Sequence, residues 1–319
     1  MLQFLVKRLI GFLFVLIGVT FITFLMGFFA PGDPIRTLLS EHFRPDLYAQ
    51  LRHEYGLDLP WYQQYWNYVT HLLRFDFGLS FKEQDRPVWD LLKDGVPTTA
   101  ELGLWALFLQ IVIGVPVGVV SAIKSNSWID TLNMGTMLTF FAIPSFVLAA
   151  LVQVAIVWLD INTNLGWPVA NWGNAWQYTW PDIQSKLLPI LVLTAGGMGY
   201  FARVARTSML EVLRQDYVRT ARAKGMIERV VISRHALRNA MIPLVTVFGF
   251  SLGLIITSTF FIEEIFNIPG IAQLTVTSIT DRDYPVIQAT VVLLAVTVVL
   301  GNLVADLLYA VVDPRIKVQ

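Results

Sequence analysis

The chain has 319 residues, 55% of them hydrophobic and only 14% charged, with 23 basic and 23 acidic side chains. The balanced charge leaves no nucleic-acid footprint, and the absence of cysteine excludes thiol nucleophiles, disulfides and cysteine-ligated metal. Two soluble domains would fit the length, but several apolar runs exceed the ~18 residues that mark a membrane-spanning helix.

Lys7 and Arg8 precede the first run, residues 9–29. Residues 28–34 read FFAPGDP, a poor signal-peptidase site, so residues 1–30 are expected to stay as an N-terminal transmembrane helix. Residues 31–97 are too many for a bare connection and are expected to form a small helical extracytoplasmic segment. Pro45 and Asp46 can start a helix that Gly56 ends. Pro60 can start another, with Trp61, Tyr65, Tyr68 and Leu72 on one face, and residues 88–93 read as a short third. The aromatic face can touch a partner or substrate, or simply pack on the spans, the commoner use of such a face.

Five further apolar runs follow, 102–123, 134–159, 187–202, 241–262 and 286–312, which makes six spans. The expected fold is therefore all-α, a polytopic membrane protein with a five-helix core over 98–312 and a tail at 313–319. The run 187–202 reaches full length only by continuing past Arg203. That run is short and carries Pro189 and Gly196, whereas Pro116 and Pro144 are tolerable inside spans where neighbours satisfy the freed backbone groups. Gly114 and Gly118, four apart, read as a helix-packing contact. Trp158, Trp167, Trp172, Trp176 and Trp180 in and beside 160–186 suit interfacial anchoring, with a substrate-stacking cluster as the other reading. Residues 263–285 carry turn signals at 267–270 and 283–285, and serve either as a gate at the outer mouth or as a plain connection. Asp306, four residues from Asn302 in the last run, is an intramembrane acid; a structural pairing with a basic residue is favoured over transport chemistry.

Residues 203–238 organise the rest. They carry nine basic residues against Glu211, Asp216 and Glu228. Ser208 and Glu211 have the spacing of a capping box. Arg222 and Lys224 sit where cations suit a helix C-terminus, and Gly225 follows where a left-handed cap falls. A second helical stretch, 227–238, leads into the next run. One reading is a basic loop that only sets topology. The other is a rigid peg for a soluble partner, favoured by the caps and by Thr220, Ala221, Ala223 and Gly225, small enough for close approach, with Ala221 at the contact.

The bias of Lys and Arg places this loop and both termini in the cytoplasm, since 160–186 and 263–285 hold only Lys186 and Arg282. No phosphate-binding G-x-x-x-x-G-K-[ST] occurs. The four histidines have no metal spacing, and no G-x-S-x-G elbow appears. The chain is expected to be no enzyme and to carry no cofactor.

Residues 216–225, DYVRTARAKG, followed by 234–243, RHALRNAMIP, resemble the cytoplasmic loop of permease subunits in binding-protein-dependent ABC importers. The dipeptide, oligopeptide and nickel branch is the closest type. Other pieces match it in order: Pro31–Pro34, Tyr55–Asp58 with Pro60, Phe75–Ser80, Phe266–Gly270, Arg282–Pro285 and Asp313–Arg315. Against the general loop pattern E-A-A-x3-G-x9-I-x-L-P, Ala221, Gly225 and Leu237 fit. Arg219, Thr220, His235 and Arg238 depart from it in the manner of the peptide branch.

The resemblance implies a type I importer permease in a prokaryotic inner membrane. It implies pairing with a second, homologous permease, two ABC ATPases that use ATP and magnesium, an extracytoplasmic solute-binding protein and surrounding lipid. Residues Asp216, Tyr217, Arg219, Thr220, Ala221, Arg222, Ala223, Lys224 and Gly225 would form the coupling helix. The long segment after the first span points to the first of the two permeases. The cargo is expected to be a di- or oligopeptide, with a nickel chelate or other small solute as the variant. The runner-up from a different class is an ion-gradient-driven transporter or channel, for which Glu101, Glu263 and Asp306 are sparse candidates; a scaffold without transport is the third.

Overall fold

In the computed structural model of the protein, the structure describes residues 2–29, 35, 39, 45–54, 56–83 and 86–312. Among these the regular elements are helices: α1 (Leu2–Phe29), α2 (Pro45–Glu54), α3 (Trp61–Leu72), α4 (Val88–Ile123), α5 (Trp128–Ala142) and α6 (Ser145–Thr163). They continue as α7 (Trp180–Leu213), α8 (Asp216–Ala223), α9 (Glu228–Gly253), α10 (Ile255–Ile265), α11 (Ile271–Asp281) and α12 (Tyr284–Val312). Within them, α1, α4, α6, α7, α9 and α12 are long and apolar enough to cross a membrane. The number of spans agrees with the apolar runs; several boundaries do not. The readings at 31–34 and 313–319 lie outside the described residues.

The expected short helix at 88–93 does not stand alone but opens α4, which runs on through Pro97. An interior proline costs about 3 kcal/mol. Val88, Leu91 and Leu92 are buried in the first turns, and at about 1.5–3 kcal/mol each they outweigh it. The run 134–159 is two helices rather than one. Ile143 is extended (ψ 122°) and Pro144 caps the next helix, because a proline pushes the residue before it out of the helical region. The run 241–262 also breaks, at Leu254, whose N–H is shared between Phe250 and Ser251 carbonyls at 3.2 Å each. The run 187–202 does continue past Arg203, to Leu213.

The contacts divide the chain into two compact units. In the first, Met1–Pro97 with Pro269–Val296, α3 lies along α1. The Tyr65 hydroxyl donates to the Ile17 carbonyl at 3.3 Å, and the Phe24 ring meets Tyr65 and Tyr68 at 5.4 and 6.2 Å. Packing on the span is thus the use of Tyr65 and Tyr68. In the same unit Asp283, 2% exposed, accepts from the Ser80 hydroxyl and from the N–H groups of Phe81 (3.1 Å) and Lys82 (3.2 Å). That joins two of the segments the sequence sets apart, 75–80 and 282–285.

The second unit, Thr98–Ile268 with Thr297–Gln319, packs α4, α5, α6, α9 and α10 around α7. Its core includes Leu102, Trp172, Leu193 and Phe266, continuing through Leu107, Phe201 and Leu244. Gly114 and Gly118 are the packing contact their spacing implies. A Cβ on Gly114 would meet the Met198 carbonyl, and one on Gly118 the Ala202 carbonyl and the Ala205 methyl. Gly118→Leu is therefore expected to cost about 1–3 kcal/mol through overpacking, lowering the unfolding temperature of the purified chain. Gly135→Leu, on α5 with nothing within 4 Å of the added Cβ, should leave that temperature in place. Equal shifts in a thermal scan would contradict the packing role of Gly118.

Candidate functional site

The basic stretch 203–238 resolves into three pieces. Residues up to Leu213 are the last turns of α7, and residues from Glu228 are the first turns of α9. Only 214–227, with α8 at its centre, is a separate projection. The Ser208–Glu211 capping box is therefore not formed. Ser208 is 6% exposed inside α7, and its hydroxyl donates to the Ala240 carbonyl at 2.9 Å. A side chain that finds a buried long-range acceptor has no orphan N–H to cap. Gln215 starts α8 without a side-chain cap.

The end of α8 is as the sequence predicts. Gly225 has φ 76°, its N–H bonds to the Arg222 carbonyl at 2.9 Å, and that of Met226 reaches back to the Ala221 carbonyl at 3.3 Å. This pair of bonds is the Schellman closure that a left-handed glycine permits. Met226 packs with Val218, Ala221 and Val231 beneath the helix, along with Val212 and Leu213. One face of α8 is thereby held on the chain itself. Ala221 belongs to that face, at 5% exposed, and not to the contact surface where its small size suggested it. Tyr217 is 43% exposed, the side chains of Asp216 and Arg219 are 97% and 70% exposed, and Thr220, Ala223 and Lys224 are exposed with them.

Two cross-links brace the projection. Arg222 reaches across Gly225 to Glu228 with Nε to Oε2 at 3.1 Å and Nη2 to Oε1 at 2.7 Å. Asn239 Nδ2 donates to the Tyr217 hydroxyl at 2.9 Å. Between the two anchors on α9, residues Val231–Leu237 form a π-helical stretch, a local widening common at functional sites. Sequence reasoning missed Glu228 and Asn239 as partners of α8; no local spacing signals a bond across a turn. On the next connection, Arg206 grips Asp130 bidentately at 2.8 and 2.7 Å. That guanidinium holds the Asp130 carboxyl below its ordinary range, so the clamp is complete at neutral pH and is lost only as the pH falls through the acid range.

The tryptophan-rich segment also differs from expectation. Trp172 is fully buried rather than interfacial, while Trp158, Trp176 and Trp180 are exposed. Trp172 Nε1 and the Trp176 N–H donate to Glu101 Oε2 at 3.0 and 2.9 Å. Lys186 Nζ pairs with Glu101 Oε1 at 2.9 Å and also donates to the Asn174 and Gln177 carbonyls at 2.8 and 2.7 Å. Glu101 is thus engaged as a fastener for the segment between α6 and α7. Glu263, fully buried, accepts from the Thr99 and Thr259 hydroxyls at 2.8 Å each. Asn302 and Asp306 lie one turn apart on α12, both half-buried.

A profile described as "Binding-protein-dependent transport system inner membrane component" matches residues 114–318, and its N-terminal companion matches 1–103. The chain belongs to this family. It is a multi-pass inner-membrane permease subunit of an ABC importer, not an ATPase. Among its relatives is the glutathione transport system permease protein GsiC of Salmonella typhimurium, 37% identical with 99% of each chain covered. Another is the dipeptide transport system permease protein DppB of Escherichia coli K12, 38% identical with the same coverage. A chain of the inward-facing MetNI methionine ABC transporter shares the fold, with TM-score 0.57 at 20% identity, over 70% of this chain and 96% of that one.

Proposed function

We propose that this permease forms half of the path for a short peptide and takes its motion from a separate ATPase through α8. The observation that carries the coupling role is the braced projection: an eight-residue helix (Asp216–Ala223) fastened along one face and at both ends, with the opposite face exposed. A helix that only set topology would need neither the Schellman closure nor the two cross-links. The peptide cargo is supported by the relatives whose names give dipeptide and glutathione transport.

In this reading a second, homologous permease completes the path, and this chain is the first of the pair. Two ATPase subunits supply ATP and magnesium chemistry, and a solute-binding protein delivers cargo. Nucleotide-driven closure of the ATPases would push on Tyr217, Arg219, Thr220, Ala223 and Lys224. The Arg222–Glu228 and Tyr217–Asn239 links would pass the displacement to α9. The basic projection and both termini lie in the cytoplasm, by the excess of Lys and Arg there.

The test is reconstitution. With its partner subunits in vesicles, the chain should support ATP-dependent dipeptide uptake stimulated by loaded binding protein, whereas the purified chain alone should hydrolyse no ATP. Uptake that runs on an ion gradient without nucleotide would overturn the reading. Sidedness is checked separately in the naturally cysteine-free chain. A cysteine at Gln177 should label from outside intact cells, and one at Gln215 only after permeabilisation.

A further inference from the structure

The first compact unit holds a cavity of about 870 Å³. Residues from three separate segments that the sequence sets apart line it: 56–58, 76–78 and 284–285. The coupling role makes no use of them, and the Asp283 knot described above already holds the second segment to the third. From this convergence and its chemistry, we propose that the cavity is a binding site for a zwitterion that carries a primary ammonium, an anionic group and an apolar remainder.

The lining supplies each part. Phe24, at the C-terminal end of α1, and Tyr284, at the start of α12, give apolar walls where two spans end. Arg52 lines the cavity on the same wall as Asp58, whose carboxylate its charge favours. Its planar fork of N–H donors matches a phosphate or carboxylate. Asp76 also lines it, and one carboxylate oxygen is occupied by the Gly78 N–H at 3.0 Å, which leaves the other to accept from an ammonium. Tyr68 lines it too, with its ring packed on Phe24 of α1. The volume lies in the range of small-molecule sites. The other acid at the wall, Asp58, is already paired with His53 at 2.7 Å.

Two sources share this chemistry: a phosphatidylethanolamine headgroup and the ends of a short peptide. The purified full chain in detergent would be titrated with short-chain phosphatidylethanolamine, with phosphatidylglycerol and with alanyl-alanine, and bound ligand counted by native mass spectrometry. Saturable binding of either zwitterion is expected. It should weaken about tenfold in Arg52→Gln and in Asp76→Asn, the scale of one charge-assisted hydrogen bond lost. The lipid arm and the peptide arm tell the two sources apart. Phosphatidylglycerol, which lacks the ammonium, should bind more weakly than the zwitterion. No saturable binding of either zwitterion, or binding unchanged in both variants, would overturn the assignment. The result is independent of coupling through α8, since no ATPase is present.

Discussion

Glu101→Gln is expected to destabilise the permease by about 3–5 kcal/mol, the range for breaking one side of a buried ion pair. Both partners are almost fully buried, with side-chain exposures of 0% for Glu101 and 3% for Lys186. The carboxylate gathers three donors from separate parts of the chain: Lys186, the Trp172 indole and the Trp176 backbone. Glutamine keeps the shape but leaves the Lys186 charge without a counter-ion, and its amide presents N–H groups where donors already point. Lys186→Met leaves the opposite charge with its two tryptophan donors, so the loss there should be smaller. The double variant Glu101→Gln with Lys186→Met removes both charges and should recover part of the loss, because neither desolvation cost remains. Thermal unfolding of the purified chain, together with its amount in the membrane, reads all three. A Glu101→Gln chain that unfolds at the wild-type temperature would show that the pair does not hold the segment between α6 and α7.

Gly225→Val is expected to abolish most ATP-driven uptake, by tenfold or more, while the variant still reaches the membrane in normal amounts. The cost is conformational rather than steric. A Cβ at Gly225 meets nothing within 4 Å, yet φ is 76°, a region that costs an ordinary residue about 1–2 kcal/mol and a β-branched one more. The Schellman bonds would loosen and α8 would tilt. Gly225→Asn, a residue that tolerates left-handed backbone, should retain most of the uptake. Ala223→Glu places bulk and charge on the exposed face and should also lose uptake, with normal membrane amounts. Ala221→Glu acts differently from either. It buries a carboxylate against Val218 and Val231, so the amount of folded protein should fall first. Wild-type uptake and nucleotide hydrolysis in both Gly225→Val and Ala223→Glu would reduce the projection to a topological loop.

By itself the sequence determined what local rules decide. The number of spans follows from the length of apolar runs, because no shorter helix crosses a bilayer. The left-handed end of α8 follows from Gly225, since only glycine adopts that backbone at no cost. The packing of Gly114 and Gly118 follows from their four-residue spacing on one helix face. The motif order from Pro31 to Arg315 pointed to the family. Tertiary structure decided what depends on a partner distant in the chain. Ser208 has capping spacing, but the Ala240 carbonyl, 32 residues on, claims its hydroxyl. Glu228 and Asn239 hold α8 from α9, and Asn239 reaches back 22 residues to the Tyr217 hydroxyl. Trp172 has the composition of an interfacial anchor, but Glu101, 71 residues away, offers its indole a buried acceptor. In each case a long-range hydrogen bond or buried contact outweighs the local preference, and no pattern of neighbouring residues encodes which distant group will supply it.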